Sequence, residues 1–396
     1  MKRSFESNIR KMYAVRLLFN MYFISAVIVP FYIEWGGIKF SYILFINAWF
    51  WFWNFLLEIP TGTVADFLGR KVSIVLGCIT AVIAILVYVS YPSLYVFMTA
   101  EFIFAVSFTL LSGADEALVY DSLKEIDQTH TSKKVLSRLE SFKLGGIVVG
   151  AVIGAFIAKY IGLRETLMFQ AIPIGIAVFI AATLKEPPVW EKKPTISFRS
   201  YKKILSDGVR YFLGNKILKL LTLDMVIVFA CAWIIIWFYQ ALLENAGVDI
   251  VYFGVVHAFM SLAQIFIISN FSLFEKWLGA KKRLLFIGAF LTGVFFIMLS
   301  LTTYVPLVIA GIILSAGFGL SRGPLFSNYM NKYIPSDKRA TVLSTTSMLR
   351  TFSIVVVNIT AGLLAEWSIP NTLLILGIAV IIFSFLSKIK EEHLID

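Results

Sequence analysis

The sequence predicts an all-α integral membrane protein, with twelve transmembrane helices in two pseudo-symmetric six-helix bundles and both termini cytoplasmic. Three observations lead there. The 396 residues are 59% hydrophobic, with a mean hydropathy of +0.84. Twelve continuous apolar runs recur along the chain, each near the ~20 residues that a helix needs to cross hydrocarbon. The halves on either side of a basic stretch at 185–216 echo each other. A soluble domain has nowhere to bury that much apolar surface, so the bilayer is the expected solvent. A barrel would alternate over ~10-residue segments, and these runs do not.

The spans are read at about 12–34, 41–65, 72–91, 94–120, 137–160, 163–184, 217–243, 250–274, 284–303, 305–330, 340–366 and 370–387. The first run is too long for a cleavable signal and reads as a retained span. Cys78 in span 3 and Cys231 in span 7 are the two cysteines, and they suggest neither a disulfide framework nor a metal site. No metal and no cofactor is expected.

Charge placement orients the spans. The formal charge is +11. Lys2, Arg3, Arg10, Lys11, Arg70, Lys71, Lys133, Lys134, Lys281, Lys282 and Arg283 fall on the side that holds the termini, whereas the opposite loops hold Lys39, Lys159 and Arg164. The positive-inside rule makes the first side cytoplasmic. Basic residues spread over such loops meet anionic lipid and do not form a nucleic-acid footprint.

Three domains follow: an N-terminal bundle at 1–184, a cytoplasmic basic linker at 185–216 and a C-terminal bundle at 217–396. In the linker, Tyr201, Ile204, Leu205, Val209 and Phe212 share one helical face, which suggests an amphipathic helix on the membrane surface; a solvated linker is the plainer alternative. The bundles repeat one another in order. Leu68-Gly69 matches Leu278-Gly279, Gly113 matches Gly319, and Val135-Leu136-Ser137 matches Val342-Leu343-Ser344.

Ionisable residues inside a bilayer are costly and mark cavities or the bundle interior. Here they are Arg16 in span 1, Glu58 in span 2, and Glu101, Asp115 and Glu116 in span 4. Span 5 has Glu140 and Lys143, span 7 Asp224, span 8 His257, span 10 Arg322 and span 11 Arg350. Spans 3, 6, 9 and 12 carry none in their interiors, Arg164 and Glu165 lying at the outer end of span 6. Helical spacing aligns Asn47, Phe50, Asn54 and Glu58 on one face of span 2. It does the same for Glu101, Phe108, Ser112 and Asp115, for His257, Ser261 and Gln264, and for Thr346, Arg350 and Ser353. Polar stripes beside aromatics suit an amphipathic cargo, but satisfy one another equally well between packed helices. Arg16, Asn20, Asn47, Phe50, Asn54, Trp233, Trp237, His257, Gln264, Arg322 and Arg350 are the cavity candidates.

Glu58, Glu101, Asp115 and Asp224 are the proton-carrier candidates, because carboxylates away from water bind protons reversibly near neutral pH. Arg16 falls at the depth of Glu58, and Asp224 at that of Arg322. Permanent pairing there would make those acids structural. Glu101 has no basic residue near it in span 4.

Gly62–Lys71 reads GTVADFLGRK, between two apolar runs, and fits G-x-x-x-D-x-x-G-R-[RK] at every specified position. It resembles the loop 2–3 signature of the major facilitator superfamily. The resemblance implies two rocking six-helix bundles, with spans 3, 6, 9 and 12 peripheral, as the charges independently suggest. It implies a latch of Gly62, Asp66, Gly69, Arg70 and Lys71. Asp66 would meet the start of span 11 near Arg339-Ala340-Thr341, and Arg70 would meet Asp121 or Glu116. In span 5, Gly146, Gly150 and Gly154 fit part of the family's antiporter pattern, with Ala151 and Ala155 departing from it; close helix packing explains the stripe equally. In span 4, Leu110 stands where proton-coupled drug antiporters often carry an arginine.

The chain has no phosphate-cradling Gly-Lys-Ser/Thr loop and no Gly-x-Ser-x-Gly elbow, so neither ATP hydrolysis nor enzyme activity is expected. The expected function is secondary active transport in the cell (inner or plasma) membrane, with a small organic substrate, protons and membrane lipids as partners. Proton-coupled export of amphipathic compounds is the first reading. Uptake of a small organic ion or nutrient is the second, and a membrane-embedded enzyme or sensor is a distant third.

Overall fold

The computed structural model describes residues 2–188, 206, 209–335 and 339–394, and every regular element among them is helical. In chain order the principal helices are α1 (Lys2–Phe19), α2 (Phe40–Leu68), α3 (Arg70–Tyr88), α4 (Leu94–Leu111), α5 (Ala114–Glu125), α6 (Ser132–Tyr160) and α7 (Leu163–Ala182). Then follow α8 (Lys216–Trp233), α9 (Ile235–Asn245), α10 (Phe253–Ser269), α11 (Phe271–Leu278), α12 (Lys281–Leu301), α13 (Val305–Leu320), α14 (Arg322–Lys332), α15 (Arg339–Trp367) and α16 (Ile369–Leu386). Among the described residues eleven helices are long and apolar enough to cross a membrane, and twelve result when the bent pair of span 1 counts as one.

The breaks at spans 1, 4, 7 and 10 recur every third span; span 8 as read at 250–274 also breaks, at Asn270 between α10 and α11, whereas spans 2, 3, 5, 6, 9, 11 and 12 are single helices among the described residues. Span 1 bends by 64° between Phe5–Ala26 and Ile28–Trp35, so the single run read at 12–34 is corrected to two arms. Its cause is local. Asn20 Nδ2 donates back to Arg16 O at 2.8 Å, Ser25 Oγ to Tyr22 O at 2.7 Å, and Val27 leaves the helical region. Side chains that bond the nearby backbone compete with the helix ladder. Span 4 breaks at Gly113, whose φ of +75° favours glycine. Span 10 breaks at Ser321, whose Oγ donates to Phe318 O at 3.0 Å. Span 7 breaks at Ile234, between α8 and α9.

The chain divides into two compact units: Met1–Trp190 with Asp249–Ala258, and Glu191–Val248 with Phe259–Asp396. The same packing scheme runs in both. In the first unit α3 packs on α4 and α7, and α1 on α6 and α7; in the second α12 packs on α13 and α16, and α8 on α15 and α16. Many small residues face inward, and large apolar ones line the outward faces as well as the core. On α3, Gly77, Cys78, Ala81 and Ala84 are buried, while Leu76, Ile79, Ile83 and Leu86 are exposed. Such faces suit a lipid exterior, where close packing of small residues holds helices together.

The glycine stripe of span 5 has a packing role. Gly146, Gly150 and Gly154 lie against the backbone of Leu17, Met21 and Phe23, and a Cβ on Gly150 would stand 2.7 Å from Tyr22 N. Of the amphipathic face read in the linker, Tyr201, Ile204 and Leu205 lie outside the described residues. Phe212 is buried in the second unit's core with Leu218, Met225, Phe326 and Val342.

Candidate functional site

The loop signature sits at a helix junction. Gly69, with φ +97°, separates α2 from α3. Arg70 follows, pairs with Asp121 of α5 and donates to Ala117 O at 2.6 Å. Of the two acids left open for Arg70, the first unit uses Asp121. The side chain of Asp66 and those of Arg339, Ala340 and Thr341 lie outside the described residues, as does any pairing between them.

Sequence reasoning missed the partner of this junction. Glu186, just past span 6, accepts from Arg70 N at 2.8 Å and from Lys71 N at 2.7 Å. The second unit repeats the arrangement: Glu391, just past span 12, accepts from Lys281 N and Lys282 N, each at 2.8 Å. The first backbone N–H groups of a helix have no partner within it and carry the positive end of its dipole. A bidentate carboxylate satisfies two of them at once. The available signal was a glutamate at matching positions after the last span of each half.

Arg16 is not placed on Glu58. Its Nε lies 2.8 Å from Asp115 Oδ2, and its Nη2 lies 3.7 Å from Glu116 Oε1. Both acids open α5, directly after the Gly113 break, where the helix dipole favours carboxylates. Glu58 is exposed, and it has no ion-pair partner among the described residues. Asp224 and Arg322 do pair, in the buried core of the second unit. Ser387 donates to the same carboxylate, Arg322 Nη1 donates to Leu285 O at 2.7 Å, and its guanidinium covers the Phe326 ring at 4.9 Å.

Glu101 stands apart from these pairs. Tyr88 Oη donates to its Oε1 at 2.5 Å, Tyr32 Oη lies 2.7 Å from Tyr88 Oη, and Tyr32 reaches the same Oε1 at 3.5 Å. Both tyrosines are buried. Among the described residues no Lys, Arg or His pairs with Glu101. Aromatic side chains flank it along the bundle. Trp53 meets Phe102 with ring centroids 4.8 Å apart, Phe50 meets Phe108 at 6.0 Å, and Trp49 Nε1 donates to Met98 O at 3.0 Å. The donors Trp53 Nε1 and Asn54 Nδ2 are buried without a partner among the described residues. Asn20 and Asn47 are buried too.

The second unit gathers a different set. Arg350 lies over Phe229 at 5.7 Å, Phe229 stacks on Trp233 at 6.0 Å, and Arg350 has no carboxylate partner among the described residues. Trp237 is buried, with an unpartnered Nε1. Gln264 donates to Leu320 O at 3.2 Å, joining α10 to α13 and serving packing there. His257 lies in α10, in the segment Asp249–Ala258 that groups with the first unit. That segment is tied to α6 by Lys159, which donates to Asp249 Oδ2 at 2.5 Å. Among the described residues no cluster of metal-ligating side chains occurs.

Two units with matching packing, broken helices and ion pairs at membrane depth are the architecture expected of a helical membrane transporter. The chain belongs to the Major Facilitator Superfamily, whose model matches residues 14–358. No curated protein matches the sequence. Among solved structures it is similar to the nucleoside transporter NupG, at 14% identity over 97% of this chain and 100% of that one, with a TM-score of 0.82. It is similar to a D-xylose-proton symporter at 14% identity, covering 98% of this chain and 99% of that one, with a TM-score of 0.75. A POT family transporter solved with 5-aminolevulinic acid follows at 15% identity, 98% and 96% coverage and a TM-score of 0.73. At such identities the likeness establishes the fold. The protein is a multi-pass membrane transporter and not an enzyme.

Proposed function

We propose that this transporter is proton-coupled, works by alternating access and exports amphipathic or hydrophobic organic compounds from the cytoplasm. Glu101 carries the reading. It is a carboxyl inside a bundle with phenolic hydroxyls beside it and, among the described residues, no cation, so its charge changes when a proton arrives. Asp115 and Asp224 are each held by an arginine, which supports structural roles for them. The aromatic flank of Trp53, Phe102, Phe50 and Phe108 supports an apolar cargo. Both termini are assigned to the cytoplasm from the basic loops. Bundles at 1–184 and 217–396 would rock about the linker at 185–216. The Gly62–Lys71 loop, with Arg70 on Asp121, would act as the inner latch.

A second reading is proton-coupled uptake of a small organic ion or nutrient. Arg350, a cation with no carboxylate partner among the described residues, supports it. So does the likeness to a nucleoside transporter and to a D-xylose-proton symporter.

Flux assays in proteoliposomes with an imposed pH gradient test both. Export predicts that amphipathic dyes move against the proton flow. Uptake predicts that labelled nucleosides or pentoses move with it. Glu101→Gln is expected to leave cargo movement down its own gradient and to abolish pH-driven accumulation; accumulation equal to wild type would remove Glu101 as carrier.

A further inference from the structure

The proton-carrier reading leaves Tyr32 and Tyr88 unused. Tyr88 ends α3, the first unit's charge-free span 3, and Tyr32 lies in the bent arm of span 1. Both are buried to 6% exposure or less. A buried phenol needs a hydrogen-bond partner, and these have one another and Glu101.

The hydroxyl protons settle the order of the chain. Tyr88 has one O–H, and its 2.5 Å contact with Glu101 Oε1 uses it. The 2.7 Å contact between the two hydroxyls is then made by the Tyr32 O–H, which donates to Tyr88 Oη. Tyr88 donates to Oε1, Tyr32 Oη lies 3.5 Å from the same atom, and Oε2 has no hydrogen-bond donor among the described residues. Glu101 as a residue is partly exposed, whereas both tyrosines are buried. Among the described residues the titratable groups that act on Glu101 are Tyr88 and Tyr32, and Tyr22, further along span 1, is influenced by both Glu101 and Arg16.

We propose that Tyr88 and Tyr32 are positioning residues for the transported proton: they hold Glu101 Oε1 as a fixed acceptor, so that the proton loads and leaves at Oε2. The inference rests on Glu101 being the carrier. In the ionised state Tyr88 donates a charge-assisted hydrogen bond to Oε1, and Tyr32 polarises it from behind. When a proton adds to Oε2, the charge is removed and Oε1 becomes the carbonyl oxygen. It still accepts from Tyr88. The carboxyl therefore keeps its place through the cycle while its charge changes. Span 3 contributes to proton handling through a hydroxyl without any charge of its own.

Infrared difference spectra of the purified full-length protein in phosphatidylcholine–phosphatidylglycerol vesicles test this by pH titration, with the proton as the probe and no cargo needed. Wild type is expected to show the C=O stretch of a protonated carboxyl at low pH, lost in Glu101→Gln. Hydrogen bonding to a carbonyl lowers its stretching frequency. Tyr88→Phe is therefore expected to move the Glu101 band to higher frequency, and Tyr32→Phe to move it the same way by less. Replacing Tyr88 by 3-fluorotyrosine keeps the shape and makes a stronger donor, so the band moves to lower frequency; this variant answers the question if Tyr88→Phe fails to fold. A Glu101 band that stays in place in both Tyr88 variants overturns the positioning role. A band that persists in Glu101→Gln overturns the carrier reading instead.

Discussion

The two units solve the problem of a buried carboxylate in opposite ways. In the second, Asp224 is sealed by Arg322, Ser387 and the Phe326 face, so its charge is cancelled permanently. In the first, Glu101 has two phenols beside it and, among the described residues, no cation. A guanidinium fixes the ionised form, because removing either charge strands the other in a low-dielectric interior. Phenols bind both forms, since a hydroxyl donates to a carboxylate and to a carbonyl alike. The same chemical group is therefore a structural tie in one unit and, in the function proposed above, a reversible proton site in the other. The difference lies in its neighbours.

The comparison breaks first at Arg322. Arg322→Met leaves Asp224 buried without its cation, and loss of one partner of a buried pair costs about 3–5 kcal/mol. Thermal unfolding in detergent is expected to show a large fall in the midpoint. Asp224→Asn combined with Arg322→Met should recover part of it, because no charge is then left unpaired. Equal midpoints for wild type and Arg322→Met would contradict the structural role of the pair. Glu101→Gln is expected to do the reverse in every respect. The amide still accepts from Tyr88 Oη, so stability changes by less than about 1 kcal/mol, while proton-driven accumulation is lost.

This contrast was partly legible in the sequence. The Asp224–Arg322 pair could be read because the two residues fall at equal depth in spans 7 and 10. Glu101 could be singled out because span 4 offers it no cation. The tyrosines could not. They lie in a bent arm and at the end of a charge-free helix, and a scan for intramembrane charge passes over a phenol. The 64° bend of span 1 was hidden for a related reason. Hydropathy sees continuous apolar character through Asn20 and Ser25, but their side chains bond the local backbone and turn the chain. Arg16 then comes to lie on Asp115 instead of Glu58. Depth along a straight helix predicts partners only while the helix is straight.

The smallest expected effect concerns where the two units agree. Glu186 and Glu391 each cap the start of the helix that opens the second half of the basic loop, with four hydrogen bonds of 2.7–2.8 Å between them. Their surroundings differ. Glu186 is partly buried, beside Gly69 and the Arg70–Asp121 pair, whereas Glu391 is exposed next to Glu392 and Lys390. Water replaces a lost acceptor more readily at the exposed site. Replacing a capping side chain by alanine costs about 0.5–2 kcal/mol, so Glu186→Ala is expected near the upper end and Glu391→Ala near the lower. Amide hydrogen exchange over 70–73 and 281–284 reads both caps locally. Exchange should rise at 70–73 in Glu186→Ala and at 281–284 in Glu391→Ala, each without change at the other site. If both variants loosen both loops, the caps are not the independent, repeated contacts that the two units display. If Glu391→Ala has the larger effect, burial is not what sets the strength of the clamp.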